Sequence, residues 1–180
     1  MRGMAQAGRV FGRQDWIDSA RRALDFVRSH MWSGGKLFAT YKDGRAHLNA
    51  YLDDYAFLIA ALLELLQARF RATDYAWARE LADVLLAEFE DRQRGGFFFT
   101  SHDHEQLFHR TKPGHDNATP SGNGVAALAL IALGHLCAEQ RYVEAGERTV
   151  RLFAPALAQS PAGYSSLVAA LEEIRTPPTT

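Results

Sequence analysis

Two stretches of this chain leave no side for water. Between Tyr55 and Leu66 the single charge is Glu64, and from Ala118 to Cys137 there is none. A helix that is apolar all round must be enclosed by other protein elements. The enclosing elements are present in sequence. Asp15–His30 carries Trp16, Ala20, Ala23, Leu24, Phe26 and Val27 on one face and Asp18, Arg21, Arg22, Asp25 and Arg28 on the other, with Asp15 as its expected N-cap. Thr73–Arg92 starts at Thr73 as a cap and sets Arg79, Glu80, Asp83, Glu88, Glu90 and Asp91 outside Trp77, Leu81, Val84, Leu85 and Phe89. Gln140–Leu157 is a third such helix, Pro161–Ile174 a last one rich in small residues, and Met1–Phe11 reads as the uncapped tail of a truncated helix. Enclosed and solvated helices thus alternate along the chain.

Short β segments punctuate the alternation. Gly34-Gly35, the strand Leu37–Tyr41, a Lys-Asp-Gly-Arg turn and a return through His47 to Asn49 predict a hairpin. After the second solvated helix come Gly95-Gly96, a strand Phe97–Thr100, a turn and a return strand Gln106–Arg110. Gly34, Gly35 and Phe38 recur at one constant offset, about 60 residues on, as Gly95, Gly96 and Phe99. The chain therefore reads as an internal repeat of helical hairpins in two layers: an all-α fold, a partial α/α toroid with short β-hairpins at one rim, against the plainer alternative of a multi-helix bundle. Residues 1–175 form that domain and 176–180 a tail.

The rim collects the polar chemistry. Asp53-Asp54 opens the first enclosed helix, and the loop Arg110–Asn123 opens the second, with Thr119 as the expected cap and Pro120 at its first position. One cap employs one carboxylate, so Asp53 and Asp54 together suggest that one of them is a general acid/base whose pKa burial raises. Asp116 with Asn117 and Asn123 supplies the carboxylate and amides that polyol recognition needs. Arg110 and Lys112 either bind a substrate or pin the loop by ion pairing. His47, His109 and His115 fall on the same rim, where a base near neutral pKa would remove a proton beside a carbonyl. His135, late in an apolar helix, reads as a core histidine. Trp32, Tyr51, Phe97 and Phe98 suit either sugar stacking or the core. His102 and His104, with Asp103 and Glu105, occupy an exposed turn lacking a third fixed ligand, so neither metal nor cofactor is expected.

Composition narrows the classes. A chain of 180 residues, 47% hydrophobic, suffices for one buried core. Twenty basic and 21 acidic residues, net −1, leave no electrostatic footprint for nucleic acid. The uncharged stretch Ala118–Cys137 is interrupted by Thr119, Pro120, Ser121, Gly122, Asn123, Gly124 and His135, which argues against a membrane span. No secretory core precedes Arg13, and Cys137 is the single cysteine, so a cytoplasmic location is expected.

Three motifs in order carry a resemblance: Leu52-Asp53-Asp54-Tyr55-Ala56, Gly95-Gly96-Phe97-Phe98-Phe99-Thr100, and Arg110-x-Lys112-x3-Asp116-x-Ala118-x-Pro120-Ser121-x-Asn123. They resemble the C-terminal portion of the thioredoxin-domain-containing family related to spermatogenesis-associated protein 20. Members of that family join a thioredoxin-like domain to an (α/α)6 barrel similar to those of N-acylglucosamine 2-epimerases. The resemblance covers Met4 to Leu171 and implies a partial barrel. It also implies a sugar-enzyme-like fold; on the rim read above, Asp54, Asp116 and His115 are the catalytic candidates and Asp53, Arg110, Asn117, Asn123 and His47 the substrate-binding ones. The related epimerases carry catalytic histidines on inner helices, and here only His135 lies on one. Two readings follow: a carbohydrate-binding or carbohydrate-isomerising domain, and a structural or protein-interaction domain whose polar loop locks the hairpins. Inner helices without neighbours would expose apolar surface, so a homodimer is expected.

Overall fold

The computed structural model describes residues 1–104 and 109–176. The chain is mostly helical. In order it forms α1 (Arg2–Val10), α2 (Gln14–Met31), β1 (Trp32–Ser33), β2 (Lys36–Lys42), β3 (Arg45–Asn49), α3 (Leu52–Ala68), α4 (Ala72–Val84), α5 (Gly122–Cys137), α6 (Gln140–Gln159) and α7 (Ser165–Arg175). A π-helical turn, Leu85–Phe89, prolongs α4, and a 3-10 turn, Pro161–Tyr164, leads into α7.

The two uncharged segments become α3 and α5, and both are buried along most of their length, as their missing polar faces require. The odd-numbered helices pack in series, α1 on α3, α3 on α5 and α5 on α7, while α2, α4 and α6 each flank their sequence neighbours. Trp77, Phe89, Phe97 and Tyr142 fill the core between α3, α4, α5 and α6, each at most 1% exposed. A smaller cluster of Ala127, Ile131, Val150, Leu157 and Leu167 joins α5, α6 and α7. No helix among the described residues is long and apolar enough to cross a membrane.

Several sequence expectations change in detail. Arg2–Val10 forms the helix α1, which has no side-chain cap at its start and packs on α2 and α3 through the buried Ala5 and Gly8. The buried face of α2 is Ile17, Ala20 and Leu24; Phe26 and Ala23 turn outward, and Phe26 stacks on His30 at 4.4 Å. Asp15 lies in the first turn, paired with Arg13 at 2.8 Å, and the N-cap is Arg13. Likewise α4 begins after Arg71, not Thr73. There the buried Asp74 carboxylate is held by Arg71 and Arg21 at 2.6 and 3.2 Å, a stronger anchor than a threonine cap. The charged face of Thr73–Arg92 loses Glu90, which is buried and salt-bridged to Arg148 at 2.5 Å.

The first hairpin is confirmed with its turns. β1, β2 and β3 form an antiparallel sheet in that order; Gly34-Gly35 joins β1 to β2 and Asp43-Gly44 joins β2 to β3. All four residues have positive φ, from 50° to 76°, which is the backbone that two-residue hairpin loops demand. Gly95 and Gly96 repeat this at φ 79° and 74°, so the two glycine pairs match in backbone conformation. The second strand does not form. Phe97 keeps one isolated bridge to Glu90, and the neighbouring amides go elsewhere: Phe97 N–H to Asn123, Phe98 N–H to Phe89 O and Phe99 N–H to Thr111 O. With its donors divided among three elements, the segment has no single strand partner. The return strand expected over Gln106–Arg110 falls on 105–108, outside the described residues, except for its last two positions, which are not in a strand.

Candidate functional site

α3 opens with a reciprocal pair of hydrogen bonds. Tyr51 N–H donates to Asp54 Oδ2 at 2.9 Å, and Asp54 N–H donates to Tyr51 O at 3.1 Å. The first fixes the Asp54 carboxylate in orientation. Asp54 Oδ1 has no hydrogen bond among the described residues, and the side chain lines a cleft of about 460 Å³. The cleft lies between the start of α1, the end of α2, β2 and the starts of α3 and α5, walled by Met31, Phe38, Phe57, Leu58 and Val125. Burial raises the Asp54 pKa, and the Tyr51 N–H pulls it back in part.

Asp53 points the other way. Its Oδ1 is buried without a partner against Gly122, the first residue of α5, where any Cβ would overlap that oxygen. Burial raises the Asp53 pKa, and the neighbouring Asp54 charge adds to the rise. The structure thus divides the pair: Asp54 faces the cleft, and Asp53 faces the seam between α3 and α5. Gly122 is fixed by that contact.

The polar loop is consumed internally to a large degree. Asp116 Oδ1 accepts from Ser121 N–H at 2.8 Å and from the Ser166 hydroxyl at 2.5 Å, while Oδ2 accepts from Ser166 N–H at 2.8 Å. One carboxylate therefore ties the start of α5 to the start of α7. Burial works against its ionised form, but these hydrogen bonds outweigh burial and hold its pKa below the ordinary carboxylate value. The N-cap of α5 is Ser121, whose hydroxyl accepts from Gly124 N–H at 3.1 Å; Thr119 and Pro120 precede the helix instead of starting it. Asn123 is fully buried. Its Oδ1 accepts from Phe97 N–H at 2.7 Å, and its amide donates to Phe97 O and Pro113 O, both at 2.9 Å.

Both cations lie over the Phe98 ring. The Arg110 guanidinium lies 4.2 Å from the ring centroid and donates to Thr100 O, with His102 Nδ1 at 3.0 Å. Lys112 Nζ lies 5.2 Å from the same ring and bonds Asp91 and Gly95 O, each at 2.9 Å. Neither cation lines the Asp54 cleft. His47 and His109 are exposed. His115 is also exposed, its ring edge-on to Tyr164 at 5.3 Å, and Asn117 is exposed with its N–H on Thr119 O at 3.0 Å. His135 is solvent-exposed in the last turn of α5, not a core residue. Phe97 is core, and Tyr51 stacks on Phe99 at 4.9 Å.

The structure therefore brings Asp53, Asp54, Asp116 and Asn123 to the starts of the enclosed helices, but of these only Asp54 lines the cleft, and His47, His115, Arg110 and Asn117 also lie outside it. Sequence reasoning missed the apolar walls, Met31, Phe38 and Phe57. Phe57 was within reach, since it follows Asp54 by three residues on one helix and so shares its face.

Comparison with known proteins gives a consistent set of relatives. Over 180 aligned positions, covering 94% of this chain, it is 28% identical to spermatogenesis-associated protein 20 of Rattus norvegicus and 29% identical to that of Homo sapiens. The Mus musculus protein is 30% identical over 142 positions, 73% of this chain. The chain spans 23% of the length of the rat and human proteins. No family model matches it.

Proposed function

The chain belongs to the spermatogenesis-associated protein 20 family, and from that premise we propose that it is a partial α/α toroid, cytoplasmic, that receives a carbohydrate at the mouth formed by the starts of its inner helices. The serial packing of α1, α3, α5 and α7, with α2, α4 and α6 flanking them, supports the toroid. One observation carries the site. Asp54 is held by one oxygen, offers the other to a cleft of ligand size, and has a raised pKa in that setting. Asp54 is then the general acid/base, Asp53 sets the local charge behind it, and Asp116 and Asn123 hold the mouth in shape. Proton removal from a sugar carbon additionally calls on a base at the rim, for which His115 and His47 are the candidates.

Ligand-observed NMR in D2O with reducing mono- and disaccharides tests this directly. Binding that disappears in Asp54→Asn at unchanged melting temperature supports the site. Exchange of the proton at C2 extends the reading to isomerisation, and its loss in His115→Gln or His47→Gln would assign the base. No binding by a folded sample, of these sugars or of glycosides that carry an apolar substituent, ends the carbohydrate reading.

A second reading has its own support. Asp116, Asn123 and Lys112 are committed to bonds within the chain, as a locked structural or interaction domain requires. An apolar groove of about 780 Å³ between α6 and α7, walled by Val150, Leu157, Val168 and Leu171, adds surface on which self-association is expected under that reading. A single monomeric species in sedimentation at high concentration counts against it.

A further inference from the structure

The lining of the Asp54 cleft says what kind of carbohydrate would fit. Apart from Asp54 and Arg2, every side chain in it is apolar or absent; Val27, Met31, Phe38, Phe57, Leu58 and Val125 supply most of the wall. A free sugar carries hydroxyls around its whole ring, and each one buried without a partner opposes binding. Two charged side chains cannot satisfy them all. The same wall is well matched to hydrocarbon. The cleft also holds more volume than a single buried hydroxyl at Asp54 would employ, about 460 Å³, which places it among pockets that enclose most of a ligand of moderate size.

We propose that the occupant is a sugar carrying an apolar substituent, such as an alkyl or aryl glycoside, with a hydroxyl of its sugar on Asp54 Oδ1 and its substituent against Met31, Phe38 and Phe57. This rests on the carbohydrate reading above. Asp54 is suited to the head because Tyr51 N–H already fixes the other oxygen, so the free one is pre-oriented. Phe57 shares a face of α3 with Asp54, while Phe38 and Met31 approach from β2 and α2, so the substituent contacts come from three elements, one of them the helix that carries the head contact.

The test compares methyl glucoside, octyl glucoside below its micelle concentration, and 1-octanol on the intact chain by saturation-transfer NMR and titration. Octyl glucoside is expected to bind at least tenfold more tightly than methyl glucoside, with transfer strongest on the alkyl protons. Asp54→Asn is expected to weaken octyl glucoside at least fivefold and leave octanol unchanged. Phe57→Ala is expected to bring octyl glucoside down to the methyl glucoside level; Phe38→Ala, on a half-buried strand position, serves the same end if Phe57→Ala fails to fold. Equal affinity for the two glucosides overturns this proposal and leaves the carbohydrate reading standing. Octanol binding as tightly as octyl glucoside, with Asp54→Asn silent, overturns it by showing an apolar cleft with no head-group recognition. If no glucoside binds, the carbohydrate reading fails and this proposal with it.

Discussion

Asn123→Ala is the sharpest test of how the rim is held. Asn123 is fully buried and makes three hydrogen bonds to backbone groups of two other segments, Phe97 N–H, Phe97 O and Pro113 O, at 2.7 to 2.9 Å. Alanine removes the side-chain partners and leaves the two Phe97 groups enclosed, while Pro113 is an exposed residue whose carbonyl can turn to water. An ordinary hydrogen bond contributes about 1 kcal/mol net, and an orphaned buried partner costs about 1 to 3 kcal/mol. Because the two Phe97 groups can relax together, the expected total is about 3 to 5 kcal/mol. For a domain of this size each kcal/mol shifts the melting temperature by about 2 to 4 °C, so a drop of roughly 10 °C is expected. Circular-dichroism melts and urea titration measure both quantities. Asn123→Asp sharpens the test: one oxygen still accepts from Phe97 N–H, but the other meets the Phe97 and Pro113 carbonyls. That variant should be at least as unstable at pH 7 and recover partly in acid, where a protonated carboxyl donates to one carbonyl. A loss below about 1 kcal/mol, the value of a single ordinary bond, would refute the reasoning.

The remaining predictions concern single contacts. Asp53→Asn should raise stability near pH 7, because an unpaired, desolvated carboxylate becomes neutral. The sign follows from its raised pKa. The native state holds the proton to higher pH than the unfolded chain, so stability falls as pH rises from the ordinary carboxylate value to the native one, and the variant flattens that limb in pH-dependent melts. Asp116→Ala should cost roughly 2 kcal/mol or more by urea titration, since its bonds link α5 and α7. Its depressed pKa gives the opposite slope: stability present above the ordinary carboxylate value is lost as pH falls toward the native one, and the variant lacks that loss. Gly95→Ala should destabilise more than Gly34→Ala. Both have positive φ, about 1 kcal/mol against alanine, but a Cβ at Gly95 would lie 2.6 Å from Arg148 O, whereas at Gly34 it meets nothing within 4 Å. Equal melting temperatures would count against the packed environment of the second glycine pair.

The sequence by itself determined the helical order and the enclosure of α3 and α5, because charge distribution along a helix reports whether any face meets water. It also determined the first hairpin and the repeated glycine pairs, because a two-residue loop with positive φ has a narrow local chemistry. Cap positions were misread at Asp15, Thr73 and Thr119. A cap depends on where the incoming chain turns, and at Asp74 the neighbouring Arg71 together with Arg21 from α2 overrides the local preference. The second strand was unreadable for a similar reason: its amide at Phe97 is claimed by Asn123, 26 residues away in sequence. Most of all, Asp53 and Asp54 are identical in sequence chemistry. Only tertiary packing gives one the seam beside Gly122 and the other the cleft beneath Phe38 and Phe57, because which face of a helix start becomes a cavity depends on what the neighbouring elements fill.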